Sequence, residues 1–255
     1  MQYKALVVDF DRTLIISKDA FPSPKVKEAI LRAKNDKNIH VSIATARPFN
    51  KIEKICKELD LTGYCIVSGG AQLVDVKTGE NYYEYVLDHE KTLSICREIM
   101  KIDSSIILWV QDDGEDQMFT EDYKPHKPFI IVANALPNSL AIKIKKQLSE
   151  HPDVFCTRVP SFAPGLVDVN ISHKNATKQH GIETLAKLYG ISKKEIVGVG
   201  DGHNDYPLLQ ASGVKVAMGN AVDQIKEIAD YVAPSVDDDG LAEVINKYFL
   251  TTNQA

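Results

Sequence analysis

Residues 5–8, Ala-Leu-Val-Val, form an unbroken apolar run, the pattern of a strand buried on both faces. Ser23-Pro24 reads as a helix N-cap and first helical position, and Val26, Ala29, Ile30 and Ala33 then recur on one helical face. Residues 39–44 predict a second strand, and Ile52, Ile55, Cys56 and Leu59 a second helix. A third strand at 64–67 is closed by Ser68-Gly69-Gly70. The order βαβαβ implies parallel strands joined by right-handed crossovers.

After Gly79 the pattern changes. Residues 82–86 and 106–110 read as strands and 87–100 and 138–148 as helices, with an acidic, turn-rich loop at 112–116. Strands at 154–159 and 166–171 close this region, where Pro160 and Pro164-Gly165 break the pattern as a linker would. Alternation of strand and helix resumes through 182–189, 196–199, 208–211, 214–218 and 222–229, and a last helix starts at Leu241. The predicted fold class is α/β, a Rossmann-like parallel sheet core flanked by helices and built from residues 1–79 and 165–255. An inserted α+β domain occupies 80–164, and the cleft between two such domains is a preferred ligand site.

Composition narrows the class. The chain has 255 residues, enough for one large domain or two at roughly 100–200 residues each. With Lys+Arg 30 against Asp+Glu 35 and a formal charge of −5, it offers no electrostatic case for a nucleic-acid or membrane-surface partner. Cys56, Cys65, Cys96 and Cys156 lie far apart, form no C-x-x-C pair and sit in apolar stretches, so buried reduced thiols and a cytoplasmic location are expected. The first predicted strand leaves no room for a signal peptide, and no apolar run approaches the ~18 residues of a membrane span.

Candidate chemistry gathers at strand ends and helix starts. Asp9 and Asp11 follow the first strand, at the sheet edge where open α/β proteins bind ligands. They read either as a solvated Asx turn or as a nucleophile and a general acid/base beside magnesium. Thr45 ends the second strand, and its hydroxyl and nearby backbone N–H groups suit phosphate oxygens, with an ordinary N-cap as the alternative. Lys178 opens a helix, a poor place for a cation unless an anion meets it, and a solvated lysine is the other reading. In Gly200-Asp-Gly-His-Asn-Asp205 two glycines allow a tight turn that presents Asp201, Asn204 and Asp205 together. Asp9, Asp201 and the backbone carbonyl of Asp11 would suffice for magnesium, whereas His203 reads as a turn or cap residue.

In this order the clusters Asp9-Phe-Asp-Arg-Thr13, Thr45, Lys178 and Gly200–Asp205 resemble the haloacid dehalogenase superfamily of phosphohydrolases. Ala44-Thr-Ala-Arg47 and Val216-Ala-Met-Gly-Asn-Ala221 look like its Cof-type subfamily, which carries a large α/β cap where residues 80–164 stand. The resemblance implies a magnesium-dependent phosphatase of small phosphorylated metabolites, with sugar phosphates foremost. Asp9 would attack phosphorus and Asp11 serve as acid and base; Thr45, Lys178, Asn204 and the N–H groups of Phe10 and Ala46 would bind the phosphoryl group. Asp9, Asp11 and Asp201 would hold magnesium, with Asp205 orienting the site from behind or by a water. A monomer is the expectation for this cap type. A phosphomutase and a receiver-like phosphoacceptor module are the competing readings. Two positions depart from the subfamily pattern, Arg12 where Gly is usual and Gly69-Gly70 where Asn-Gly is usual. Trp109, His126, Lys127 and Arg158 are candidates for lining the cleft, with ordinary surface or core roles as the alternative.

Overall fold

The computed structural model describes residues 3–17, 20–161 and 163–251. Its first half of the core is β1 (Ala5–Asp9), α1 (Pro24–Lys37), β2 (His40–Ala44), α2 (Glu53–Glu58), β3 (Tyr64–Val67), β4 (Gln72–Asp75) and β5 (Asn81–Glu84). There follow α3 (His89–Ile102), β6 (Leu108–Asp112), β7 (Glu115–Met118), β8 (Pro128–Leu136), α4 (Asn138–Leu148), β9 (Val154–Pro160) and β10 (Val167–His173). The chain then returns through α5 (Lys178–Tyr189), β11 (Ile196–Gly200), α6 (Tyr206–Gln210), β12 (Val214–Ala217), α7 (Asp223–Ile228), β13 (Tyr231–Val232) and α8 (Gly240–Ile245).

Two sheets result. The larger has eight strands in the order β13-β12-β11-β1-β2-β3-β4-β5, parallel from β13 to β3 and antiparallel at β4 and β5. Strand β1 is buried throughout, and its side chains alternate between two apolar layers: Leu6 and Val8 pack with α1, α2 and α8, while Ala5 and Val7 pack with α5, α6 and α7. That double burial is why the run reads as uniformly apolar. Helix α1 begins as its residues dictate, with Ser23 accepting a hydrogen bond from the Val26 N–H and Val26, Ala29, Ile30 and Ala33 buried.

The smaller sheet is antiparallel, ordered β7-β6-β8-β10-β9. Leu108, Val110, Ile131, Ala133, Val169 and Ile171 form its apolar face, packed with Ile95, Cys96 and Ile99 of α3 and Ala141 and Ile144 of α4. The opposite face looks toward the core, and a small cluster of Ala71, Phe129, Ile130 and Ala176 joins the two units.

The margins of the predicted insertion differ from the observed sheets. Asn81–Glu84 belongs to the core sheet, paired with β4, and Val167–His173 belongs to the smaller sheet, paired with β8 and β9. Strand β5 is an edge strand with mostly exposed side chains, so its sequence carries no burial signal to assign it. Pro160 ends edge strand β9, and Pro164-Gly165 turns the chain into β10, so these residues make a hairpin instead of a linker. Strands β4, β7, β8 and β13 are additional to the prediction. Cys56, Cys65 and Cys96 are buried, Cys156 is half-buried, and all four are free. Among the described residues no helix is long and apolar enough to cross a membrane.

Candidate active site

Strands β11, β1 and β2 are parallel neighbours at the centre of the core sheet, so their C-terminal ends share one edge. Asp9 is the last residue of β1 and pairs with Ala44, which Thr45 follows; Asp201 follows the last residue of β11. The chain leaves β1 toward β2 on one side and β11 lies on the other, which makes this edge the switch point of the sheet. Lys178, the first residue of α5, enters from the smaller sheet's last strand, β10.

These residues converge. Asp9, Asp201 and Asp205 each bring a carboxylate oxygen within 4.8 Å of the others, and all three are buried. The Lys178 ammonium donates to Asp9 Oδ1 at 2.5 Å and to Asp205 Oδ1 at 2.6 Å. Asp205 Oδ2 accepts the backbone N–H groups of Asp201 and Gly202, each at 2.9 Å, so both its oxygens are engaged. Thr13 donates its hydroxyl to Asp201 Oδ1 at 3.2 Å. The awkward placement of a cation at a helix start is resolved by the protein's own carboxylates, which face it.

Charge is nonetheless out of balance. Burial, reinforced by Asp205, pushes the Asp9 carboxyl well above the usual carboxylate range despite the opposing Lys178. Burial and Asp205 likewise push Asp201 up to about 7. Burial works against the Lys178 charge too, but Asp205 and Asp9 outweigh it and hold the ammonium above its ordinary range. One buried ammonium and the part-exposed Arg12 guanidinium beside Asp201 still leave the three buried carboxylates in excess, and a hard divalent cation with oxygen ligands fits the deficit. Asp9 and Asp201 are the carboxylates to face it, since Asp205 is committed to Lys178 and the turn.

Asp11 turns away from this cluster. Arg47 donates to it twice, from Nε to Oδ2 at 3.0 Å and from Nη2 to Oδ1 at 2.5 Å, while its guanidinium lies 4.9 Å from the Phe10 ring centroid. Thr45 Oγ1 accepts the Arg47 N–H at 3.1 Å, which folds residues 45–47 into a tight turn. Asn204 and Ala46 line the cleft beside Thr45, and Phe10 is wholly buried beneath. The motif Ala44-Thr-Ala-Arg47 assigns Arg47 no role by itself; a long cation two positions after Thr45 is the signal for its clamp.

The two departures have a backbone explanation. Arg12 sits in the left-handed region at φ 63°, where Gly is free of strain, and Asn220 Nδ2 holds its carbonyl at 2.9 Å. Its Nε lies 3.7 Å from Asp201 Oδ2. Gly69 and Gly70 have φ 67° and 104°, so the usual Asn tolerates the first position as Gly does. At Gly70 a Cβ would come within 2.3 Å of the Thr177 backbone, which excludes any side chain.

A cleft of about 590 Å³ opens over the site between the two sheets. From the core it is lined by Asp9, Asp11, Arg12, Thr45, Arg47 and Asp201, and from the smaller sheet's unit by Gln111, Val132, Val159, Asp168 and Asn170. Trp109, His126, Lys127 and Arg158 are not among its lining residues. Lys127 instead pairs with Glu84 at 2.8 Å, and Arg158 donates to Asn138 at 2.6 Å. Strand parity explains Arg158: it alternates with Val159, which does line the cleft.

A family model of haloacid dehalogenase-like hydrolases matches residues 6–146 and 111–245. The chain belongs to this family. A putative phosphatase of Streptococcus pyogenes is 24% identical over 274 residues, covering 98% of this chain and 100% of the relative. A 5-amino-6-(5-phospho-D-ribitylamino)uracil phosphatase of Bacillus subtilis is 26% identical over 266 residues, with 96% and 97% covered. Among solved structures, a subclass IIB sugar phosphatase of the superfamily superposes over 97% of this hydrolase and 100% of its own chain, with a TM-score of 0.80 and 20% identity. A protein of Streptococcus mutans gives a TM-score of 0.85 at 19% identity, with 98% and 100% covered. Kinship with named phosphatases over the full length places the hydrolase among the phosphoric monoester hydrolases.

Proposed function

We propose that this hydrolase is a magnesium-dependent phosphatase of small phosphomonoesters, acting through a phosphorylated Asp9. The convergence of Asp9, Asp201, Asp205 and Lys178 beneath an interdomain cleft is the observation that supports this reading most strongly. The smaller sheet with its two helices serves as the cap and supplies substrate specificity, and the fold's eight-stranded unit is the catalytic core.

In the first step a carboxylate oxygen of Asp9 bonds to phosphorus as the P–O ester bond breaks. Asp11, as the carboxylic acid, gives its proton to the departing alcohol oxygen. In the second step Asp11, now a carboxylate, takes a proton from water, whose oxygen bonds to phosphorus as the bond to Asp9 breaks. Inorganic phosphate leaves and both acids are restored. Lys178 and Thr45 hold the phosphoryl oxygens with Asn204 and the N–H groups of Phe10 and Ala46, while Asp205 fixes Lys178 and the Asp201 turn. A magnesium ion held by Asp9 and Asp201, with the Asp11 carbonyl, supplies charge neutralisation of the phosphoryl group when bound.

Substrates are drawn from phosphorylated sugars and polyols. Two of the relatives, a sugar phosphatase and a ribitylamino phosphatase, carry such compounds in their names. Assay of the purified chain against sugar phosphates, polyol phosphates, nucleotides and cofactor phosphates tests the reading. Inorganic phosphate should appear with magnesium and without a bisphosphate activator, and chelation should stop it. A requirement for the bisphosphate, with the phosphoryl group returned to the sugar, would make the chain a mutase.

A further inference from the structure

On the cleft-facing side of the cap sheet, Gln111 carries the one buried side-chain nitrogen or oxygen atom among the described residues that has no hydrogen-bond partner. Gln111, on β6, is 4% exposed and lines the cleft. Its Nε2 donates to the Ala46 carbonyl at 3.2 Å, a bond from cap to core that lands in the turn after Thr45. Its Oε1 is shut from solvent and accepts no hydrogen bond among the described residues. A buried acceptor left unpaired costs about 1–3 kcal/mol, and folded proteins rarely carry one without a use.

The surroundings say what would meet it. Asp168 and Asn170 of β10 line the same cleft, with Val132 on the intervening strand β8 and Val159 beyond them on β9. The other face of this sheet packs an apolar layer against α3 and α4, while Gln111, Asp168 and Asn170 line the cleft on the side that looks at the site. Hydrogen-bonding groups interleaved with valines suit a carbon chain that carries hydroxyls on an apolar skeleton. The Ala46 bond also fixes which end of the amide is available, because the N–H faces the core loop and the oxygen is the end left over.

We infer that Gln111 is a specificity-determining residue, whose carbonyl oxygen accepts a hydrogen bond from a hydroxyl or N–H donor on the leaving group close to the phosphate ester. The inference rests on the phosphatase reading above and names the feature of the substrate that this site selects. Because the oxygen is enclosed in this arrangement, reaching it requires that the Gln111–Ala46 bond open first.

The test uses matched pairs of phosphates, glycerol 3-phosphate with propyl phosphate, ribitol 5-phosphate with pentyl phosphate, and sorbitol 6-phosphate with hexyl phosphate. For each pair the ratio of kcat/KM values is measured in the parent and in Gln111→Met, which keeps the volume and removes both amide hydrogen bonds. The parent should favour the hydroxylated member, and in Gln111→Met the ratio should fall about tenfold for at least one pair, as expected for one lost hydrogen bond. A merely structural role would lower both members together and leave the ratio unchanged, and that result overturns the inference while leaving the phosphatase reading intact. Equal turnover of both members by the parent overturns it as well. If the parent releases phosphate from none of the six compounds, the inference and the polyol phosphate reading fall together.

Discussion

Arg47 occupies both carboxylate oxygens of Asp11, one at 3.0 Å from Nε and the other at 2.5 Å from Nη2. While this clamp holds, each oxygen of the proposed acid/base is already engaged by a guanidinium N–H. An anion entering the cleft competes for the guanidinium, so phosphate binding and release of Asp11 are linked events. Arg47→Ala should therefore lower kcat/KM by roughly a hundredfold, the scale of misplacing an acid/base group. Its melting temperature should change little, because a partly exposed ion pair contributes about 0–1 kcal/mol. Steady-state kinetics beside a thermal melt separates the two effects, and equal activity of parent and variant would remove the clamp from the mechanism.

Lys178 has the opposite character, being structural and chemical at once. Buried between Asp9 and Asp205, it cannot be removed without leaving carboxylates unpaired away from water. Lys178→Met should cost roughly 3–5 kcal/mol of stability at pH 8. At pH 5 the loss should be smaller, since the stranded carboxyls can take up protons. Denaturant melts of the variant at the two pH values check this, and an equal loss at both would contradict it.

The metal-free site should itself respond to pH. Asp201 moves from an ordinary 3.8 to about 7 on folding, and Asp9 moves upward with it. An acid whose folded value is raised binds protons more tightly in the native state, so metal-free stability should fall as pH rises from about 4 to about 7. A divalent cation offsets that loss. Magnesium should accordingly raise the melting temperature more at pH 8 than at pH 5, and calorimetry with and without chelator measures the difference. A larger rise at pH 5 would mean that the cation binds elsewhere.

Arg12 holds a strained backbone at φ 63° and sets a guanidinium 3.7 Å from an oxygen of Asp201. Arg12→Gly relieves the left-handed strain and removes a positive charge from beside the proposed cation site. Magnesium affinity should rise by up to about tenfold, since a unit charge ~5 Å from a dication costs about 1.5 kcal/mol even at water's dielectric. Titration calorimetry reads this without turnover, and weaker binding in the variant would show that Arg12 supports the site.

Much of the core was legible because its signals are local. The apolar run at 5–8, the Ser23 cap and the strands preceding Thr45 and Asp201 each depend on a few adjacent residues, and the acids follow directly from where those strands end. The cap was less legible because strand pairing is decided at a distance. Pro128–Leu136 is the centre of the smaller sheet, yet its sequence opens on proline and breaks its apolar run at Asn134. Asp113 and Gly114, at φ 49° and 83°, form the two-residue hairpin turn between β6 and β7, a signal present in the acidic loop but masked by its charge. Gln111 could not be singled out from Trp109, since both point to the same side of one strand and only the fold shows which of them the cleft reaches.

In the proposed mechanism Asp9 carries the phosphoryl group. Acid quenching during turnover of a hydrolysed substrate, followed by peptide mass spectrometry, tests it most directly. The phosphoryl adduct should be found on the peptide containing Asp9, and Asp9→Asn should show neither adduct nor phosphate release while keeping its fold. Undiminished phosphate release by Asp9→Asn, with no adduct on that peptide in the parent, would contradict the account.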